Sequence, residues 1–530
     1  MTPRPAPEPL ALRHGRPLGR FLQRVPPLPV ADRLVLVEAA RRLLEGYYVH
    51  LALKRSMYAV DPVQALRLLE QRVPAISDAA FHAELLSIFT GLRDLHTQYQ
   101  LPTPYAGHVA TLGFLVERYQ ATPRSAPRYV ISKLHPSLRS GSFAEGVELV
   151  AWNGVPIGRA VERNAERASG SNPDARLARG LERFTLRPLR STLAPDEEFV
   201  LITYRNPGGA THEARVAWRV LTSQQTKPGQ SPARGDAVGS ALDTHGIDAG
   251  AEAARSIKRR LFAPPSSAGG PFKEVMRAER LTTAAGPVGY LRLYSFNVAG
   301  VRAFLNHAAS VLAGLPQRGL IVDIRANPGG HIPAAEALLQ LLTDRPVRPV
   351  VFSLATTPSV LSLCRENAAL RAWAASVESS VATGEVYSQA FSFGDPGLLA
   401  EARPPYPGRV VLVTDALTYS AADIFAAGFQ DNRIGPVLGC DRHTGAGGAN
   451  VWTYDLLQLW NPDQLEALPR RASFRVALRR ATRTGETTVG VPLEDLGVTP
   501  DALHHPTLRD LTGRNDDLLA RAARLVTRRR

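Results

Sequence analysis

Residues 412–432 read LVTDALTYSAADIFAAGFQDN, and the rest of the chain is organised around them. An apolar run at 410–413 predicts a buried strand, and the small-residue run at 421–429 predicts a helix that packs closely against its neighbours. The turn between them leaves the Ser420 hydroxyl at the mouth of a helix N-terminus, where free N–H groups and the positive dipole end favour a developing anion. The same serine, with Asp423 three residues on, also fits a variant of the capping box. From this stretch alone both roles stand, nucleophile and helix cap.

Outward from it the pattern is α/β. A strand is expected at 289–296, a helix at 299–315, a strand at 319–324, a helix at 333–342, a strand at 437–438 and a hairpin-like pair at 474–480 and 487–491. Strands alternating with helices imply a largely parallel sheet with ligands at the carboxyl ends of its strands. Residues 345–405 fit this alternation poorly and are expected to form a helical lid. Two Gly-rich loops follow predicted strands. IVDIRANPGGHIP (321–333) breaks at Gly329-Gly330, and paired glycines let bare N–H groups approach a ligand, as an oxyanion hole requires. GCDRHTGAGGAN (439–450) is the second loop. Neither carries the lysine of a phosphate-binding loop. If Ser420 is the nucleophile, Gly329 or Gly330 supplies one oxyanion donor and the N–H of Ala421 another.

On the N-terminal side, residues 1–29 are Pro- and Arg-rich and are expected to be a disordered tail. Residues 30–105 carry helical periodicity for about three helices and end in LRDLHTQYQLP, which contains His96. Residues 106–222 change to short alternating runs, a β-rich module with an Asn153-Gly154 turn. In SFAEGVELVAWNGVPIGRAV (142–161) this module resembles the PDZ-like modules of some proteases, which bind an extended peptide along a sheet edge. Residues 223–280 include a Gly-, Ser-, Ala- and Pro-rich stretch and are expected to be a flexible connector; 281–512 is the α/β core and 513–530 a C-terminal helix.

The 530 residues and 44% apolar content suffice for several cores, and the net charge of +15 rests on 63 basic residues of which five are lysines. The arginines are scattered and not interleaved with aromatic residues, so a solvated basic surface is expected and no nucleic-acid site. Two cysteines make neither a disulfide framework nor a zinc site, and no run reaches the length of a membrane span. A cytoplasmic protein with no cofactor, metal or membrane partner is expected, with a homo-oligomer left open.

VGYLRLYSF (288–296), GLIVDIRANPGG (319–330), the Ser420 stretch, the loop at 439–448 and VPLEDLGVTPD (491–501) occur in an order that resembles the serine peptidase family of C-terminal processing (tail-specific) proteases and the tricorn core protease. The resemblance implies a crotonase-like (ClpP/crotonase-type) catalytic core with a helical N-terminal domain and a PDZ-like module, hydrolysing peptide bonds in peptides or unfolded proteins. One branch of that family resembles a Ser–Lys dyad whose lysine lies in the loop at 444–448, which here reads TGAGG, and no lysine follows Lys273. The tricorn-like branch remains. In it DLHTQ (94–98) resembles the segment bearing the general base, placing His96 in that role, and Glu494 matches the acid that polarises it. The relay serine between them falls on Leu95. His331 and His443 are rival bases by proximity in sequence, but triads assemble from distant segments. The alternative function is a catalytically silent peptide-binding scaffold of the same fold.

Overall fold

The computed structural model describes residues 12–527 apart from 123, 224–247, 263–271, 285, 395 and 401–403. An apolar run with no polar alternation must be covered on both faces, and Gly319–Asp323 is buried at every position. It lies inside a six-stranded sheet ordered Met276–Thr283, Gly286–Leu293, Gly319–Asp323, Arg409–Thr414, Val437–Gly439 and Ala502–Leu503. The first pair is antiparallel and the other neighbours are parallel. Helices Ile332–Gln340 and Ala421–Asp431 pack together in the main core, whereas Leu518, Ala522 and Val526 of the Asp516–Thr527 helix cover Ile321, Val411 and Val413 on the opposite face.

A second sheet is built on Ser473–Thr482, flanked by Val351–Leu354 and Ala449–Thr453. The short strand Gln98–Gln100 also pairs with it, Gln98 opposite Arg475, and Ala477 N–H donates to Thr97 Oγ1 at 3.1 Å. That pairing carries the DLHTQ segment from the helical region into the core. The N-terminal region has four helices before it, Val30–Tyr47, Leu51–Tyr58, Pro62–Arg72 and Asp78–Gly91, one more than expected, because His50 and Asp61 open new helices within one periodic run. Their apolar faces join the same continuous core as the main sheet. The β-rich module holds a six-stranded antiparallel sheet and a four-stranded one over its own core, which includes Trp152 and Trp218.

Several expectations need correction. Residues 12–29 of the expected tail contain a strand, Arg16–Pro17, paired with Arg219–Thr222, and a helix, Leu18–Leu22. Leu18 and Phe21, each 2% exposed, explain it by completing the core of the β-rich module. The expected connector contains the amphipathic helix Ala249–Phe262, with Ala253, Ile257 and Leu261 buried; its flanks at 224–247 and 263–271 lie outside the described residues. The lid at 345–405 is part of the body. Its strand Val351–Leu354 joins the second sheet, and Leu363, Cys364 and Val377 of helices Pro358–Glu366 and Arg371–Thr383 are fully buried. The second arm of the hairpin at 487–491 forms turns, because Arg483 and Thr488 are both held by Asp431 at the end of the Ala421–Asp431 helix.

Candidate active site

The turn before the Ala421–Asp431 helix is clamped by two segments, the one that follows strand Gly319–Asp323 and the Gly-rich loop that follows strand Val437–Gly439. Tyr419 N–H donates to Asn327 O at 3.0 Å, Gly445 N–H donates to Thr418 O at 2.7 Å, and Thr418 Oγ1 donates to Ile324 O at 3.2 Å. These bonds hold Ser420 at φ 61°, ψ −128°, a conformation costing about 1–3 kcal/mol for a residue with a Cβ. Such strain persists only when surroundings over-determine it, and it presents a side chain at a sharp strand-to-helix corner. The capping-box alternative fails: Ser420 is the N-cap but its hydroxyl makes no cap bond. Asp423 turns elsewhere, accepting from Thr444 Oγ1 and, at 2.8 Å, from Gly447 N–H. Burial pushes the Asp423 carboxyl up to about 7, against the two hydrogen bonds from the Gly-rich loop, which favour its ionised form.

The Gly-Gly loop meets this corner closely. A Cβ at Gly329 would lie 2.6 Å from the Ser420 Cβ and 2.7 Å from the Ala421 nitrogen, and a Cβ at Gly330 would lie 2.2 Å from the backbone of Phe296 and Asn297. With φ of +93° and +140°, both positions require glycine. The two amides differ in availability. Gly329 N–H donates to Asn327 Oδ1 at 2.9 Å, while Gly330 N–H and Ala421 N–H have no acceptor among the described residues.

His96 is 2% exposed and reaches the same place from the Gln98–Gln100 side. Its ring lies 4.5 Å from the Tyr419 ring, and its Nδ1 is 3.3 Å from the Tyr419 hydroxyl, while Nε2 is buried without a partner. Among the described residues Ser420 and His96 share no hydrogen bond. Burial, then Arg475 and Arg179, holds the imidazole pKa well below its usual value. The rival histidines stand apart: His443 Nδ1 is 3.0 Å from Asp174 Oδ2 at the surface, and His331 is the N-cap of Ile332–Gln340. Neither lines the cavity that opens beside His96, Tyr419, Gly329 and Gly330.

Glu494 is fully buried and, with Asp94 and His96, places one nitrogen or oxygen of each residue within 4.8 Å of the others. Its Oε1 accepts from Lys54 Nζ and from Ser171 Oγ, each at 2.8 Å, and its Oε2 has no partner. Lys54 also donates to Asp495 Oδ1 at 2.7 Å. Burial raises the Glu494 carboxyl well above the usual range against the pull of Lys54, with Asp94 and Asp495 pushing the same way as burial. Lys54, between those carboxylates, is held protonated. The donor types at Asp94, His96 and Glu494 suit a metal, but an ammonium already bonded to Glu494 would repel a cation.

Two residues here were invisible as site residues in the sequence. Lys54 lay in an ordinary helical stretch, and only its being one of five lysines beside apolar neighbours could have marked it. Tyr419 has no sequence signal beyond its place in the turn before Ser420. Its ring packs against the Gly-rich loop: a Cβ at Gly447 would sit 2.0 Å from the Tyr419 ring, and one at Gly445 2.7 Å from it.

Residues 287–503 match the family described as peptidase family S41, and residues 108–226 match a PDZ domain. Mature CPAF has this fold: its crystal structure superposes with a TM-score of 0.66 at 18% identity, covering 94% of this chain and 98% of its own. The photosystem II D1 C-terminal processing protease aligns at a TM-score of 0.40 and 15% identity over 92% of this chain and 98% of its own. Tricorn protease aligns at 0.37 and 13% over 94% of this chain and 37% of its own. No curated protein sequence matches the chain significantly. The chain thus has a region that matches an S41 peptidase domain and one that matches a PDZ domain, in a mixed α/β fold, and the family match supports serine peptidase activity in general terms. No helix among the described residues is long and apolar enough to cross a membrane.

Proposed function

We propose that the protein is a serine peptidase in which Ser420 attacks the scissile carbonyl, His96 is the general base, and the N–H groups of Gly330 and Ala421 hold the oxyanion. The observation carrying this reading is the strained Ser420 corner facing two unspent N–H groups. A preorganised donor of this kind is worth about 3 kcal/mol of barrier in a hydrolase. The serine proton passes to His96 Nε2, the ring nitrogen without a partner, and returns from it to the leaving amine. Tyr419 holds the Nδ1 side of the ring, and Glu494, whose second oxygen has no partner, lies beside His96 in the same buried group and positions it. With no lysine in the loop at 444–448 or anywhere after Lys273, activation in this reading follows the lysine-free, tricorn-like branch. A fluorophosphonate probe tests the nucleophile: wild type is expected to label covalently and Ser420→Ala not at all, whereas equal labelling of the two would sink the assignment.

The pH profile follows from the base. Desolvation and the two arginines disfavour the charged imidazole, so His96 stays neutral below the ordinary histidine value of about 6.5. The acid limb of kcat/KM on a peptide substrate is expected to fall below that value. A limb at or above it would assign the titration to another group.

A further inference from the structure

The cavity beside Ser420 is about 810 Å³, and one of its walls is the helix Pro173–Glu182 with the residue that caps it, Arg183. Arg179 and Arg183 lie one turn apart on that wall. Arg179 is 7% exposed, its guanidinium 5.7 Å from the centre of the Tyr419 ring, and it donates to Glu182 at 2.9 Å. Arg183 is 9% exposed, yet its guanidinium has neither a hydrogen bond nor a carboxylate within ion-pair distance among the described residues. A buried arginine without a counterion is costly, and guanidinium does not escape by losing its proton.

Its neighbours neutralise it only in part: Asp248, another carboxylate on this wall, lies 3.6 Å from Arg475, and Glu182 is paired with Arg179. Glu252 is paired with Arg255. Lys258, a further cation of the wall, has no ion pair among the described residues. Apart from the Glu252–Arg255 pair, four cations, Arg179, Arg183, Arg475 and Lys258, therefore stand with two committed carboxylates, Glu182 and Asp248, in the lining of the cavity that Tyr419 and Gly329 also border. Burial and the neighbouring Arg179 press the Arg183 pKa down, and the more distant charges of Asp248 and Glu182 offset this only in part.

We infer that Arg183, with Arg179 behind it, forms a subsite that recognises a carboxylate of the peptide substrate, and so sets a specificity for acidic chains. This rests on the peptidase reading for the identity of the ligand. A guanidinium fork matches a carboxylate in geometry as well as charge. The carboxylate has two sources, an Asp or Glu side chain near the scissile bond or the C-terminus of the chain, and both present the same two oxygens.

Equilibrium binding by fluorescence polarisation to the full-length Ser420→Ala chain tests this without requiring turnover. Three fluorescein-labelled peptides of one sequence are compared: internal Glu with an amidated C-terminus, Gln with a free C-terminal carboxylate, and Gln with an amide. One of the first two is expected to bind about tenfold or more tighter than the neutral peptide, and which one identifies the source. Adding Arg183→Gln should erase that preference, while Arg183→Lys, which keeps the charge, should retain part of it. Equal binding of all three peptides, or a preference that survives Arg183→Gln, overturns the subsite. Fluorophosphonate labelling of the wild-type and Arg183→Gln chains reads the nucleophile separately, so failure of the subsite and failure of the peptidase reading are told apart.

Discussion

Ser420→Ala and His96→Ala are each expected to lower kcat on a cleavable peptide by about 10⁴- to 10⁶-fold, and the double variant to lose no more than the worse of the two. A nucleophile without its base and a base without its nucleophile are equally idle, so residues acting as one unit do not add. This outcome is informative because the resting geometry joins His96 to Tyr419 and not to Ser420. Were His96 a buried structural histidine, its removal would cost stability and leave the rate per folded molecule almost unchanged. The losses in the double variant would then multiply. Circular dichroism and active-site titration of each variant separate the two cases. Additive losses, or a His96→Ala enzyme within tenfold of wild type per folded site, would falsify the base assignment.

How much of this was legible beforehand depended on whether the signal was local. The Ser420 corner, the Gly329-Gly330 break and the strands around them were readable because period, turn chemistry and burial all act within a few residues. The capping-box alternative was indistinguishable at that level. It was decided by Thr444 and Gly447, which take the Asp423 carboxylate from more than twenty residues away. The largely parallel pairing of the core strands was implied by the alternation of strand and helix runs, but the folded tail was not. Leu18 and Phe21 look like isolated apolar residues in a Pro- and Arg-rich stretch, and only the pairing of Arg16–Pro17 with Arg219–Thr222 gives them a core to enter. Likewise no rule of spacing links Gln98 to Arg475, yet that strand pairing is what carries His96 to the site. Lys54 and Glu494 are 440 positions apart, and their contact was beyond any reading of pattern.

That contact carries the second large effect. Lys54 has no exposed surface and lies 2.8 Å from Glu494 and 2.7 Å from Asp495, with Asp94 close enough to stabilise its charge further. Lys54→Met keeps most of the side-chain volume and removes the ammonium, leaving buried carboxylates to face one another. Removing one partner of a buried ion pair costs about 3–5 kcal/mol. The sign of the pH dependence follows. Glu494 and Asp94 already have pKa values raised above those of the unfolded chain, so each gives up stability as pH rises from the ordinary carboxylate range toward its folded value. Without Lys54 those pKa values climb further, and the penalty extends to higher pH. At about pH 4–5 the carboxyls take up protons, the unpaired charge disappears, and the variant should approach the wild type. Urea or thermal unfolding of both chains across that range is expected to show a deficit that widens with pH. A deficit equally large at both ends would mean that the loss comes from packing and that the carboxylates are not ionised around Lys54. If this buried group acts on His96 as proposed, the acid limb of kcat/KM should also move in Lys54→Met at pH values where the chain remains folded. Loss of the nearby ammonium removes a positive charge that disfavours imidazolium and shifts the limb upward, whereas a purely structural lysine would leave it in place.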